Sequence, residues 1–185
     1  QTIDIEYEFP FGWKEIEGIA NRADFDLKAH SKHSGQDLSY INNESGEKFI
    51  PYVVEPSAGV DRVALAFLCD AYGEDGDRIF LKLNPKLAPY KVAVFPLLAN
   101  KPDLVKKARE IFKDLKTINL NVAWDDRGNI GKRYYSQDEI GTPWCVTVDH
   151  QTLEDETVTV RDRDTTDQER IKIQGLKNYF EERLK

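Results

Sequence analysis

Hydrophobic and polar positions alternate from the first residues. Ile3, Ile5, Tyr7 and Phe9 fall on one side of an extended chain and Asp4, Glu6 and Glu8 on the other, the pattern of a half-buried antiparallel strand. After Pro10 and Gly12 turn the chain, residues 13–20 repeat the period, with Ile16, Gly18 and Ala20 on one face and Trp13, Glu15, Glu17 and Ile19 on the other. The second face mixes carboxylates with large apolar groups. It suits either a water-facing edge or the floor of a cleft where Glu15 meets a cation. Residues 51–68 predict strand, turn and helix: Tyr52, Val53 and Val54 are extended, Pro56, Ser57 and Gly59 break the strand, and Val60, Val63, Ala64, Phe67 and Leu68 recur at helical spacing. Residues 72–77 read as a Gly-rich acidic loop and Ile79, Leu81 and Leu83 as a short strand.

A proline-punctuated connector at 84–90 then predicts a domain boundary near Leu87, dividing the chain into 1–87 and 88–185. Beyond it the period changes. Residues 91–98 form a nearly continuous apolar run, the mark of a strand buried on both faces. Asn100 is placed to cap a helix that carries Leu104, Ala108, Ile111, Phe112 and Leu115 on one stripe. Strands follow at 120–124, 144–148, 157–161 and 170–173, with a helix over 130–140, a polar turn at 151–156 and a closing helix. A five-stranded mixed sheet with about three helices closes that order.

The chain is 185 residues long, 40% hydrophobic, with a net charge of -7. That balance argues against a protein that coats nucleic acid non-specifically, while leaving room for a local basic patch. Cys69 and Cys145 lie far apart in apolar runs, as reduced buried thiols of a cytoplasmic protein do. No long apolar span appears, so no membrane is expected. The chain starts at Gln1 and contains no methionine, as expected of a piece of a larger protein.

Three groups carry the candidate chemistry. Arg62 stands in the first turn of a helix, where the dipole repels a cation, so an anion is expected beside it. A structural ion pair with Glu55 or Asp61 and a bound phosphate both satisfy that need. His30 and His33 are spaced for one helix face and suit either a metal or a solvated surface. Lys132, Arg133, Tyr134 and Tyr135, then Arg161, Arg163, Arg170 and Lys172, interleave bases with tyrosines, which suits a single-stranded RNA loop or a solvated charged face.

The run Phe-Gly-Trp-Lys-Glu-Ile-Glu-Gly-Ile-Ala-Asn-Arg-Ala-Asp-Phe-Asp-Leu at 11–27, joined to Glu-Pro-Ser-Ala-Gly-Val-Asp-Arg at 55–62, resembles the dimeric type of glycyl-tRNA synthetase, a class II aminoacyl-tRNA synthetase. The resemblance continues through Leu-Ala-Pro-Tyr at 87–90, Gly-Lys-Arg-Tyr at 131–134, Asp-Glu-Ile-Gly-Thr-Pro at 138–143 and Val-Thr-Val-Arg-Asp-Arg-Asp at 158–164. It implies an α+β catalytic part, an antiparallel class II sheet present only in part, followed by an α/β anticodon-binding domain. It also implies a glycine–tRNA ligase acting with ATP and Mg²⁺, without a tightly bound cofactor, on glycine and its tRNA, as a homodimer when full-length.

By the same resemblance, Arg62 matches the arginine that clamps the ATP phosphates, and Glu55, Pro56, Ser57, Ala58 and Gly59 line the glycine pocket. Glu15 and Ile16 match the strand facing ATP and its Mg²⁺, while Gly59, Val60 and Asp61 complete the ATP side. Arg161 and Arg163 are the candidates for the anticodon. The first and second class II motifs have no counterpart here, so the chain is not expected to aminoacylate by itself. The alternative is a non-catalytic tRNA-binding accessory protein that keeps the fold. Retention of Glu15, Glu55, Ser57 and Arg62 together favours the enzyme.

Overall fold

The alternation of the first residues closes into a hairpin, Thr2–Phe9 (β1) with Gly12–Ala23 (β2), antiparallel. The computed structural model describes residues 1–185, which divide into two units, Gln1–Cys69 and Asp70–Lys185. In the first unit, Phe25–Ser34 (α1) and a small pair, Tyr40–Ile41 (β3) with Lys48–Phe49 (β4), lead to Val53–Ala58 (β5), the outer strand of the sheet β1-β2-β5. Val60–Ala71 (α2) follows. The strand continues through Pro56 rather than breaking there. An edge strand tolerates proline because the missing N–H need not enter the ladder.

A second difference lies in β2. Pairing shifts between Ile5 and Glu6, so that Ile5 faces Glu17 but Glu6 faces Glu15, leaving Ile16 as the extra residue of a β-bulge. The bulge reverses the alternation. Glu15 therefore shares a face with Gly18 and Asp4, not with Glu17 and Ile19. Phe9 is buried, whereas Ile3 and Ile5 are exposed in this unit despite their strand spacing.

The second unit opens with a hairpin, Tyr72–Asp75 (β6) and Arg78–Leu81 (β7), where the sequence suggests a loop before a strand. Gly76 supplies the left-handed residue of its tight turn. Val92–Pro96 (β8), Pro102–Lys116 (α3), Val122–Trp124 (β9), Ile130–Ile140 (α4), Trp144–Val148 (β10), His150–Asp155 (α5), Thr157–Asp162 (β11), Gln168–Lys172 (β12) and Leu176–Arg183 (α6) follow. The strands form the expected five-stranded mixed sheet in the order β12-β11-β10-β8-β9. β8 runs parallel to both β9 and β10, and the remaining pairs are antiparallel.

Successive side chains along β8 and β10 pack on opposite layers. Val92, Val94, Val146 and Val148 join α3 and α6 through Leu104, Ile111, Leu176 and Phe180. The smaller Ala93, Ala123 and Cys145, with Phe95, meet Ile130 and Tyr134 of α4. The parallel crossovers through α3 and α4 thereby cover both faces. The polar turn at 151–156 is mostly helix: Asp149 and Thr152 form a reciprocal capping box that starts α5. Lys101 rather than Asn100 precedes α3, with Pro102 in its first turn. No helix is long and apolar enough to cross a membrane.

Candidate functional site

The register of the first sheet assembles one polar face. Across β1, β2 and β5 it aligns Asp4, Gly18 and Ser57 in one row, Ala20 with Glu55 in the next, and Glu6 with Glu15 on the other side. Glu15, Glu55 and Ser57 are thus brought together around the bare backbone of Gly18. A Cβ built on Gly18 would stand 3.3 Å from Glu15 Oε1 and 3.7 Å from Asp4 Oδ1. Pro56 and Ala58, paired with Ile19 and Glu17, project from the opposite face. The expected small-residue wall is therefore corrected: Gly18 lies on the face of Glu55, and Pro56 and Ala58 do not. Ile16, in the bulge, leaves the alternation, and Val60 and Asp61 stand exposed in the first turn of α2.

Arg62 resolves differently from either expectation of a carboxylate partner. Its Nη1 donates to the carbonyl of Glu15 at 2.7 Å, and neither Glu55 nor Asp61 forms an ion pair with it. Glu55 is instead held by Arg22 at 2.7 Å through one carboxylate oxygen, and Arg22 also meets Asp26 at 3.2 Å. A carbonyl fixes a guanidinium without cancelling its charge, so Arg62 keeps a full positive charge at the surface. Beside it opens a pocket of about 250 Å³ lined by Phe9, Phe11, Lys14, Asp61, Arg62 and Leu65. Phe9 and Phe11 stack at 5.0 Å with nearly parallel rings. Lys14 pairs with Tyr7, so this pocket lies on the side of the sheet opposite Glu15, Gly18, Glu55 and Ser57.

His30 and His33 are exposed on α1, and no group of three or more His, Cys, Asp or Glu side chains converges on a common point. Cys69 and Cys145 are both unpaired; Cys145 is buried, and burial pushes its thiol pKa well above the ordinary range.

In the second unit, the arginines expected to read an anticodon are used inside the fold. Arg161 and Arg163 are 6% and 1% exposed. Arg161 grips the fully buried carboxylate of Asp138 with two hydrogen bonds, 2.9 and 3.0 Å. Arg78 joins the same carboxylate at 2.7 Å and also donates to the Arg163 carbonyl. Arg163 donates to Asp164 at 2.8 Å and to the carbonyls of Gly141 and Leu83 at 2.6 and 2.9 Å. Burial works against the Arg161 charge, but the Asp138 pairing outweighs it and holds the pKa above its ordinary value. Neither arginine has a face left for RNA. Both also sit where β11 ends beside the start of β8 and β10, because β11 is antiparallel to β10.

At the opposite end of the sheet, the carboxyl ends of β8 and β9 open into a pocket of about 480 Å³. Leu97, Leu98, Asn100, Asn129, Ile130 and Arg133 line it. Crevices at the carboxyl ends of parallel strands are the usual ligand sites of open α/β sheets. Arg127, with an 88% exposed side chain, and exposed Lys132 stand on the adjoining loop and helix. Sequence reading passed over this crevice because its polar groups are amides scattered over two loops.

The sequence model of the anticodon binding domain matches residues 91–183. The chain belongs to the anticodon binding domain family. The match covers β8 to α6, the five-stranded sheet and its helices. Over its whole length the chain is also similar to glycine–tRNA ligases. It is 53% identical to that of Clostridium acetobutylicum, with 100% of this chain and 40% of that protein covered. It is 54% identical to that of Staphylococcus saprophyticus, again over 100% of this chain and 40% of the relative. The figures for Thermobifida fusca are 54% identity, 100% and 42%. The chain thus spans about two-fifths of the length of the curated relatives it matches. Similarity to them is not confined to the anticodon binding domain, since it includes the first unit and its polar face.

Proposed function

We propose that this chain is the part of a glycine–tRNA ligase that supplies one wall of the aminoacyl-adenylate site and the RNA-reading domain. The observation that carries the reading is the single sheet face holding Glu15, Gly18, Glu55 and Ser57 beside Arg62, whose charge no carboxylate cancels. Glu55 would hold the glycine ammonium, with one oxygen already on Arg22. Arg22 also has Asp26 as a partner, so it can give way to the substrate. Gly18 leaves room for a substrate without a side chain.

As the glycine carboxylate attacks the α-phosphate of ATP and pyrophosphate leaves, Arg62 would stabilise charge on the phosphate oxygens from a fixed position. The nucleotide would lie along the face of Glu15, Gly18 and Ser57, with Arg62 reaching its phosphates from the start of α2. Glu15 would be the carboxylate that Mg²⁺ takes from this face, with water and phosphate as its other ligands. In the second unit the crevice at the carboxyl ends of β8 and β9 would receive anticodon bases. Its apolar lining suits an unstacked ring, Asn100 and Asn129 suit base edges, and Arg127 and Lys132 suit the backbone.

The test is glycine-dependent exchange of pyrophosphate into ATP, made on a protein of the relatives' length. Arg62→Ala should lower the exchange rate by about 10²–10³-fold, as loss of a fixed charge-stabilising donor does. Glu55→Ala should weaken glycine activation far more than tRNA binding. Equal losses in both would make Glu55 structural. Absence of exchange with tRNA binding intact would favour a non-catalytic accessory protein.

A further inference from the structure

We infer that Arg133 is the positioning residue of the RNA crevice, a guanidinium clamp that sets the two loops between which a base is read. The inference rests on the crevice being the RNA site. Arg133 is 2% exposed, in the first turns of α4. Its Nη1 donates to the carbonyl of Pro96 at 2.5 Å, at the end of β8. Its Nε donates to the Arg127 carbonyl at 2.9 Å, and Nη2 to those of Asp126 and Gly128 at 3.3 and 2.8 Å, all in the loop after β9. One planar side chain thereby ties together the two segments whose residues line the crevice.

Three features make this more than core packing. The hydrogen-bond partners are four main-chain carbonyls and no carboxylate, so the side chain's donors hold the two loops rather than an ion pair, while the nearby buried Asp125 carboxylate balances part of its charge. The loop that it grips turns through Gly128 in the left-handed region and presents exposed Arg127 outward. Asn129, next in line, caps α4 by accepting from the Lys132 N–H at 2.9 Å, which fixes its own side chain at the crevice mouth. A lysine cannot substitute: it carries the charge, but its compact ammonium lacks the planar fork that reaches four separated acceptors.

The experiment measures binding of this chain to an RNA hairpin with a glycine anticodon, and to the same hairpin with its two codon-invariant cytosines replaced. Arg133→Lys keeps the charge and removes the fork. Folded at the assay temperature, it should bind the cognate hairpin at least about tenfold more weakly and lose most of its preference over the altered hairpin. The salt dependence should be unchanged, because Arg133 is not a phosphate contact. Arg127→Ala should instead reduce the slope of log K against log salt by about one and spare the preference. A folded Arg133→Lys that binds and discriminates as wild type overturns the inference, as does a loss of affinity that leaves the preference whole. If Arg133→Lys does not fold, Gly128→Ala perturbs the same loop from its exposed side, where only the Lys132 side chain is near. Retained preference in that folded variant overturns the inference equally. Wild-type chain that binds, with Asn100→Ala and Arg127→Ala both without effect, places the RNA elsewhere and overturns the crevice reading together with the clamp.

Discussion

An arginine can use its donors on main-chain carbonyls instead of a carboxylate, and Arg62 and Arg133 both do so from the first turns of helices, Arg62 at the surface and Arg133 buried. The helix dipole opposes a cation there. A main-chain carbonyl relieves the opposition without neutralising the guanidinium, whereas a carboxylate would relieve it and cancel the charge. Arg161 and Arg163 took the second route or were sealed in, and they are structural. The sequence shows that Arg62 needs an acceptor but not which kind, since the Glu15 carbonyl lies 47 residues away. Gly18 is similar. That it shares a face with Glu15 depends on the bulge at Ile16, and no periodicity announces a bulge. In a protein of the relatives' length, Gly18→Ala should raise KM for glycine several-fold more than KM for ATP, because the new methyl projects onto the face that Gly18 shares with Ser57 and Glu55. Kinetics in which both constants move together would remove Gly18 from the glycine wall.

At the scale of elements, α4 is held from two sides. Asp138, on its inner face, accepts from Arg78 of β7 and Arg161 of β11, so one carboxylate joins helix, hairpin and sheet. Asp138→Ala would leave two buried guanidiniums without their anion and should cost roughly 3–5 kcal/mol in denaturant unfolding. A loss below about 1 kcal/mol would mean that solvent reaches the cluster. α5 depends on a smaller device. Burial alone would raise the Asp149 pKa, but its bonds from Arg170 and Thr152 prevail and hold it below the ordinary carboxylate range. A carboxyl depressed on folding stabilises above its unfolded pKa of about 3.9, and that contribution disappears as pH falls through the folded value. Asp149→Asn keeps a capping side chain but loses the Arg170 pair. It should therefore cost roughly 0.5–1 kcal/mol at pH 7 and nothing once the Asp149 carboxyl is protonated in both the folded and the unfolded chain. Thermal unfolding from pH 7 to pH 2 would reveal this, and a pH-independent difference would assign the effect to the cap instead. β8, β10 and α3 are readable from apolar period alone, because each buries a continuous run or stripe. α5 is not, since a short polar helix is made by its cap.

On the scale of the molecule, charge is divided unevenly. Residues 1–69 contain six Lys and Arg against twelve Asp and Glu, and residues 70–185 twenty against twenty-one, so nearly all of the net -7 belongs to the first unit. An acidic protein can in this way keep its anticodon binding domain close to neutral. The second unit also begins earlier than the family match at 91 or the proline connector suggests, and the reason is the hairpin β6-β7. Arg78 reaches Asp138 and the Arg163 carbonyl, Leu83 supplies a carbonyl to Arg163, and Leu83 packs with Ala71 and Ala88. Gly141, at positive φ, lets this segment approach so closely that a Cβ there would stand 2.9 Å from Leu83 Cδ1 and 3.0 Å from the Leu81 carbonyl. None of these ties is visible in the local pattern of residues 72–83, where Arg78 reads as one more surface base beside an acidic turn. A chain of residues 70–185 should accordingly unfold cooperatively, while one of residues 91–185 should be less stable by at least about 3 kcal/mol, since it leaves Asp138 with one of its two arginines and strips the Leu83 carbonyl from buried Arg163. Urea unfolding of the two chains decides it: equal midpoints and slopes would reduce the hairpin to an attached ornament, whereas a lower midpoint at 91–185 makes it part of the same folded domain as the five-stranded sheet.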